Sequence, residues 1–358
     1  MRASPVKVGI VGLGRWSRVL TRAAGKSDRL EIVAGYSRSE EKRRAYEQDF
    51  GIRAVPDMPA MLDNADIAGV ILTVPNEQHL PVAEQVARAG KQVYTEKPIA
   101  NTLESGLAIE ALQQRYGVQV MVGHSARLLK GVRLIREAMD AGELGRVVFM
   151  EANFSNERAL EITPDTWRWY RDKAPGGPLS QLAIHQFDSL HYLGGEIEAV
   201  SSVASKLSPV GAEVDDQSMT ILKFADGKLG YVGSSWTSPG IFCVRVFGQK
   251  GLMHFELDFG TWDTPEKLHE TSLLYIQRGK DGYARREVIE LPQGDMFQDE
   301  LEMFAEVCAT GEPAELTARS GNVALAVVNA ALVSVERGGG LIRLEDVMET
   351  SRARLAAA

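Results

Sequence analysis

Lys97 and His185 are the side chains in this sequence whose type and placement suit them to move a proton, and Gln181 sits one helical turn before the histidine. Lys97 stands in Val93-Tyr94-Thr95-Glu96-Lys97-Pro98. The apolar runs Ile67 to Val74 and Gln92 to Thr95 read as two buried parallel strands, so Lys97 falls just past the carboxyl end of a strand. Ligands bind at that edge in open α/β sheets. Pro98 removes a backbone donor and fixes the direction in which the chain leaves. An ammonium held there can hydrogen-bond a substrate oxygen and help move its proton. Taken alone, a Lys-Pro pair is better read as a surface lysine in a strand-to-helix loop; what precedes and follows it in this chain changes that.

His185 lies in Pro175-Gly176-Gly177-Pro178-Leu179-Ser180-Gln181-Leu182-Ala183-Ile184-His185-Gln186-Phe187-Asp188. Two glycines lead into a helix whose first turn suits Pro178. On a helical wheel Leu179, Leu182, Ala183, Leu190 and Leu193 share one face. Gln181, His185, Asp188 and Tyr192 gather on the other. A polar face this concentrated is either solvated or lines a cleft. Shortly before it, Trp167-Arg168-Trp169-Tyr170-Arg171 could stack on a sugar ring and pair with a carboxylate or phosphate, or serve as interface or core.

These residues need a frame, and the N-terminus supplies one. Val6 to Val11 is β-branched and runs into Gly12-Leu13-Gly14-Arg15-Trp16-Ser17, after which Val19, Leu20 and Ala23 repeat at helical spacing. Strand, glycine turn and helix together make a dinucleotide site: Gly12 permits the turn and Gly14 lets a phosphate reach the helix N-terminus. The second strand, Glu31 to Tyr36, ends in Ser37-Arg38-Ser39, where an NAD site usually carries an acidic ribose ligand. A hydroxyl and a guanidinium can hold a 2′-phosphate that a carboxylate would repel. The expectation is NADP, with NAD possible. Ser39 also suits the N-cap of the next helix.

Strands and helices alternate through Gly123: helix Glu40 to Phe50, helix Leu80 to Ala89, helix Thr102 to Arg115 and strand Gln119 to Gly123. This spacing predicts a doubly wound parallel sheet. A helix from Ser125 to Ala141 follows. Eight strand-like runs then lie between Val147 and Leu291 with few helices among them, which predicts a large, mainly antiparallel sheet. Helices Met296 to Ala309 and Ser320 to Glu336 complete the chain. The domains expected are residues 1–123, binding NAD(P), and 124–358, an α+β domain for substrate binding and oligomerisation. One sheet face left for a partner subunit makes a homodimer or homotetramer the expected assembly.

Composition sets limits on function. In 358 residues, 44% are hydrophobic and 25% charged, ordinary for a globular chain of two domains. The formal charge of −8 argues against a nucleic-acid partner. Two distant cysteines, Cys243 and Cys308, show no metal-ligand spacing and fit a reducing compartment. No signal segment is read at the start, and no apolar run approaches the roughly 20 residues of a membrane span. A cytoplasmic protein without a metal or a membrane is expected.

Together these residues resemble the glucose–fructose oxidoreductase, inositol dehydrogenase and MocA family (Gfo/Idh/MocA). The resemblance rests on Gly12-Leu13-Gly14-Arg15-Trp16, Pro75-Asn76 with His79, Glu96-Lys97-Pro98, Ala141-Gly142-Glu143-Leu144-Gly145, and Gly176-Gly177 through His185 and Asp188. It implies a Rossmann domain joined to an α/β domain with a large open sheet, and hydride transfer between a nicotinamide and a hydroxyl or carbonyl carbon of a sugar or polyol. It implies cofactor contacts from Gly12, Gly14, Arg15, Trp16, Pro75, Asn76, His79, Glu96 and Lys97, beside Ser37 and Arg38. Lys97 would be the catalytic lysine and His185 the residue that exchanges a proton with the reacting oxygen. Substrate contacts would come from Lys97, Trp167, Arg168, Gln181 and His185. The family often has Asp where this chain has Gln181, which can hydrogen-bond but cannot accept a proton. Two other readings stay open: cleavage of a glycosidic bond through transient oxidation, and a nucleotide-binding regulator without catalysis.

Overall fold

The computed structural model describes residues 4–262, 264–279 and 285–357. The first three residues of the start discussed above, and the last of the second expected domain, lie outside the described residues. The chain divides into two compact units.

The first unit takes the described residues of Met1–Ser125, Asp295–Asn322 and Arg354–Ala358. Its elements are β1 (Val6–Val11), α1 (Arg15–Ala24), β2 (Leu30–Tyr36), α2 (Glu40–Phe50), α3 (Met58–Leu62), β3 (Gly69–Leu72), α4 (His79–Arg88), β4 (Gln92–Glu96), α5 (Leu103–Tyr116) and β5 (Val120–Gly123). The five strands pair in the order β2-β1-β3-β4-β5, all parallel. Strands covered on both faces must be apolar throughout, and β3 is buried at every position. The helices begin and end where local chemistry dictates. The Ser39 side chain caps α2 by accepting from the Lys42 amide, and Gly51 closes it at φ 68°. Thr102 and Gly117 do the same for α5.

The second unit takes the described residues of Ala126–Gly294 and Val323–Ala353. It contains α6 (Lys130–Asp140), β6 (Val147–Ser155), α7 (Ile184–Gly194), β7 (Ile197–Ser205), β8 (Gln217–Phe224), β9 (Leu229–Ser235), β10 (Ile241–Gly248), β11 (Gly251–Leu257), α8 (Leu268–Thr271), β12 (Leu273–Arg278) and β13 (Arg286–Val288). After α9 (Met296–Thr310) and α10 (Ala318–Glu336) come β14 (Ile342–Arg343) and α11 (Leu344–Ala357). The sheet order is β13-β12-β11-β10-β6-β9-β8-β7-β14. Among the described residues its one parallel pair is β6 with β9, as the mainly antiparallel reading requires.

The division differs from a cut at residue 123. Asp295–Asn322 returns to the first unit because α9 carries Phe297, Leu301 and Phe304, all buried, and packs on α1, β1, β2 and β4. The helix expected from Ser125 to Ala141 is broken. A 3₁₀ turn spans Ser125–Leu128, and Leu129, at φ −54° and ψ 129°, interrupts it before α6. The chain also does not end with α10. α11 follows, with Leu344 and Ser351 its buried residues, too few to leave an apolar stripe in the sequence. α10 is, by length and composition, the one helix among the described residues apolar enough to cross a membrane, where no such run was expected. Its Ala326, Val327 and Ala331 are fully buried, as in a core helix.

Candidate active site

The first unit builds its part from the carboxyl edge of the parallel sheet. Gly12, at φ 99°, makes the turn after β1. A Cβ there would lie 2.7 Å from the Thr73 carbonyl carbon and oxygen, so only glycine fits against the end of β3. Thr73 locks the approach by donating from its hydroxyl to the Gly12 carbonyl at 2.5 Å. Gly14 precedes α1 and no side chain caps the helix. A Cβ on Gly14 would meet nothing within 4 Å. An uncapped helix start with this much room at Gly14 suits a pyrophosphate, and the turn fits a dinucleotide. Ser17, at the third fingerprint position, is fully buried and donates to the Gly14 carbonyl at 2.8 Å.

At the end of β2, Ser37 and Arg38 lead into α2. Arg43 folds back, its Nη1 donating to the Ser37 carbonyl at 2.5 Å. Arg38 is exposed. The Ser39 cap and the basic loop coexist, so neither excludes the other.

Pro75 and Asn76 open a 3₁₀ turn after β3, and His79 begins α4. The His79 ring is fully buried. Its Nδ1 lies 3.1 Å from the Pro98 and Ile99 carbonyl oxygens, and its Nε2 3.1 Å from that of Val74. Burial, the largest influence, pushes the ring below the usual histidine range, and a neutral ring donates from one nitrogen only. Sequence reasoning gave His79 to the cofactor; the structure turns its ring on the backbone, where it braces the segment that carries Lys97. The signal was the turn residues around it, which do not reveal which way a side chain points.

Lys97 follows β4, half-buried, and its peptide bond to Pro98 is cis. Glu96 beside it is buried and accepts from the Tyr94 hydroxyl at 3.1 Å. Burial raises Glu96 to about 7, opposed by the Trp16 indole N–H, the Lys97 ammonium and the Tyr94 hydroxyl. Trp16 stands edge-on to Phe297 of α9, ring centroids 5.3 Å apart.

The second unit supplies His185 and Gln181. Gly176 and Gly177 take φ 68° and 53°, and a Cβ on Gly177 would lie 2.1 Å from the Asp215 carbonyl oxygen. Leu179–Ala183 then forms a π-helical turn before α7 begins at Ile184. The extra residue in that turn breaks the regular wheel drawn from the sequence. Gln181 is half-buried and donates to the Ser180 hydroxyl at 3.3 Å. His185 is buried between aromatic rings, 5.4 Å from Phe154 and 6.5 Å from Trp262. The polar face expected on this helix is not solvated. Asp188 is buried and bound to Arg127, so it serves the fold. Trp262, edge-on to His185, carried no signal in a loop that the strand pattern passed over.

Trp167 and Tyr170 are exposed, and the Arg168 guanidinium lies 4.2 Å over the Trp167 ring, which removes Trp167 from the core reading. Arg171 donates to the Glu213 carbonyl at 2.9 Å and is held there. Burial lifts the Cys243 thiol to about 11 and the Cys308 thiol to about 12, so neither is a thiolate nucleophile at neutral pH. Lys97 thus belongs to the first unit, and Gln181, His185, Trp167 and Arg168 to the second.

A glycine turn opening α1, with a lysine leaving the same edge of a parallel sheet, defines a Rossmann-type nucleotide-binding protein. Residues 6–124 match the oxidoreductase family with an NAD-binding Rossmann fold, and residues 132–254 match the GFO/IDH/MocA C-terminal domain. The chain belongs to the Gfo/Idh/MocA oxidoreductase family. It is 28% identical to levoglucosan dehydrogenase of Pseudarthrobacter phenanthrenivorans over 56% of its length, but spans only 58% of that enzyme. Identity to myo-inositol 2-dehydrogenase of Thermotoga maritima is 24%, over 96% of this chain and all of the other. The structure superimposes with a TM-score of 0.93 on an oxidoreductase of Desulfitobacterium hafniense to which NADPH dependence is ascribed. That protein is 36% identical, over 97% of this chain and all of its own.

Proposed function

We propose that the protein is an NADP-preferring dehydrogenase or reductase acting on a hydroxyl or carbonyl carbon of a sugar, polyol or sugar-derived acid. One observation carries the reading. The uncapped start of α1 after β1 and Lys97 after β4 leave the same edge of one parallel sheet. The start of α1 after Gly14 is suited to a pyrophosphate, and Ser37 with Arg38 to a ribose 2′-phosphate. A nicotinamide, when bound, supplies the acceptor or donor of a hydride.

In this reading the Lys97 ammonium hydrogen-bonds the reacting oxygen. His185 takes the hydroxyl proton during oxidation and returns it during reduction. Its surroundings of Phe154 and Trp262 limit water around that exchange. Gln181 orients the substrate without taking a proton. Trp167, with Arg168 stacked on it, offers an exposed aromatic and cationic surface suited to a carbohydrate ring. The dehydrogenases named above, which act on levoglucosan and inositol by their names, support the substrate class. The D. hafniense protein supports the cofactor.

The assembly proposed is a homodimer or homotetramer through the large sheet, whose β7 and β8 expose Val203, Met219 and Ile221 with Val203 paired to Met219. Two free cysteines accord with a cytoplasmic setting. The deciding experiment is a screen of sugars, polyols and their keto forms, followed by NADPH absorbance. Turnover of at least one of them with NADP(H) is expected, and nucleotide binding without any turnover would refute the reading.

A further inference from the structure

Behind Lys97 the first unit buries three acidic side chains, Tyr94, Glu96 and Glu300. Tyr94 and Glu96 are two residues apart on β4 and so point to the same face of the sheet. The Tyr94 hydroxyl donates to Glu96 Oε1 at 3.1 Å. Glu300 comes from α9, one turn before Phe304, whose ring packs edge-on against Tyr94 at 5.7 Å. Its charge and hydrogen bonding act on the same hydroxyl. Tyr94 and Glu300 are all but inaccessible to solvent, and Glu96 is buried. Space has been cleared for them. Gly123 is the β5 residue opposite Glu96, and a Cβ on it would lie 2.5 Å from the Tyr94 hydroxyl and 3.2 Å from Glu96 Oε1.

The proton count does not close for two anions. A tyrosine hydroxyl has one proton and can donate to one carboxylate at a time. A second carboxylate acting on the same oxygen must carry its own proton, or stand as a buried like charge. We propose that Tyr94, Glu96 and Glu300 form a proton-holding triad behind Lys97, with Glu300 as its positioning residue: one carboxyl of the pair keeps its proton well above the usual carboxylate range, and release of that proton to solvent as pH rises through neutrality places a second negative charge behind the ammonium. The other groups bearing on it are Lys97 beyond β4 and the Trp16 indole of α1. β5 contributes Gly123, without a side chain, and buried His124 follows it in the chain. The added anion favours the charged form of Lys97, so the triad extends to higher pH the range in which the lysine is an acid. The role given to Lys97 rests on the oxidoreductase reading, whereas the proton count does not.

The test is difference infrared spectroscopy of the full-length, ¹³C-glutamate-labelled protein across a pH titration. The wild type should show a protonated-carboxyl stretch that disappears with a midpoint at about 7. Glu300→Gln should move that midpoint down, because the like charge is gone. Tyr94→Phe keeps the ring and guards against a Glu300 variant that does not fold. It should move the midpoint up, since the hydroxyl no longer supports the anion. Absence of the band in folded wild type, or a midpoint unmoved by both substitutions, overturns the proposal. A band of this kind in a protein that oxidises no sugar or polyol would refute the oxidoreductase reading and leave the triad standing. An active dehydrogenase without it would do the reverse.

Discussion

Arg127 and Asp188 meet as a buried two-point pair: the guanidinium Nε donates to Oδ2 at 3.0 Å and Nη2 donates to Oδ1. The arginine also lies 5.3 Å from the centroid of the Tyr192 ring. The pair joins the segment before α6 to the helix that carries His185. Removing one partner leaves a buried charge uncompensated, which typically costs about 3–5 kcal/mol. Asp188→Ala should therefore unfold at markedly lower urea with an unchanged m value. A loss under about 1 kcal/mol would show that water reaches the pair.

Cofactor preference should follow the loop after β2. NADPH should bind more tightly than NADH, and Ser37→Asp with Arg38→Ala should reverse the order. Loss of a charge-assisted contact is worth about 1.5–3 kcal/mol, hence tenfold or more in affinity. Fluorescence titration of both nucleotides decides it; equal affinities in the unaltered protein would be incompatible with the proposed role of the loop.

Lys97→Ala should keep the fold and nucleotide binding yet lower kcat by roughly 10²–10⁴ on the substrate the screen identifies. His185→Ala should do likewise. If the two act on one step, the double variant should lose much less than the product of the single losses. Independent, multiplying losses would separate the histidine from the lysine's step.

Glu96 gives stability a pH dependence of known sign. The folded protein holds this proton more tightly than the unfolded chain, with a value of about 7 against an ordinary 4.5. The stabilising contribution is therefore full below about pH 4.5 and is lost as pH rises through about 7. At 1.36 kcal/mol per unit the span is about 3 kcal/mol at most. Relative to wild type, Glu96→Gln should gain stability between pH 5 and pH 8. Urea unfolding at both values checks this, and a difference constant with pH would contradict it.

Much of this was readable in advance. β1, Gly12 and α1 announce themselves because a strand, a turn that only glycine can make and a helix are encoded within some twenty consecutive residues. Lys97 was legible for the same reason, since Pro98 and the apolar β4 fix its place locally. The π turn was not, because Leu179 to Ala183 have no composition that separates it from an α-helix. The backbone partners of His79 and the Arg127 partner of Asp188 were not legible either, as polarity does not say whether a partner is backbone, arginine or ligand. Tyr94 and Glu96 share a face by simple alternation, but Glu300 joins them only through the packing of α9, a contact between distant parts of the sequence.

That packing bears on how the protein is made. A chain leaving the ribosome displays β1 to β5 first, yet α9, which covers β1, β2 and β4, emerges only after every strand from β6 to β13 has been synthesised. Until then Gly69 lacks the Cys308 and Phe304 side chains that would leave no room for a Cβ there, and an apolar sheet face waits for its cover. Nascent chains stalled before Asp295 should be chaperone clients and protease-sensitive, and the nucleotide-binding half, although it is the first to be translated, cannot mature before α9 emerges.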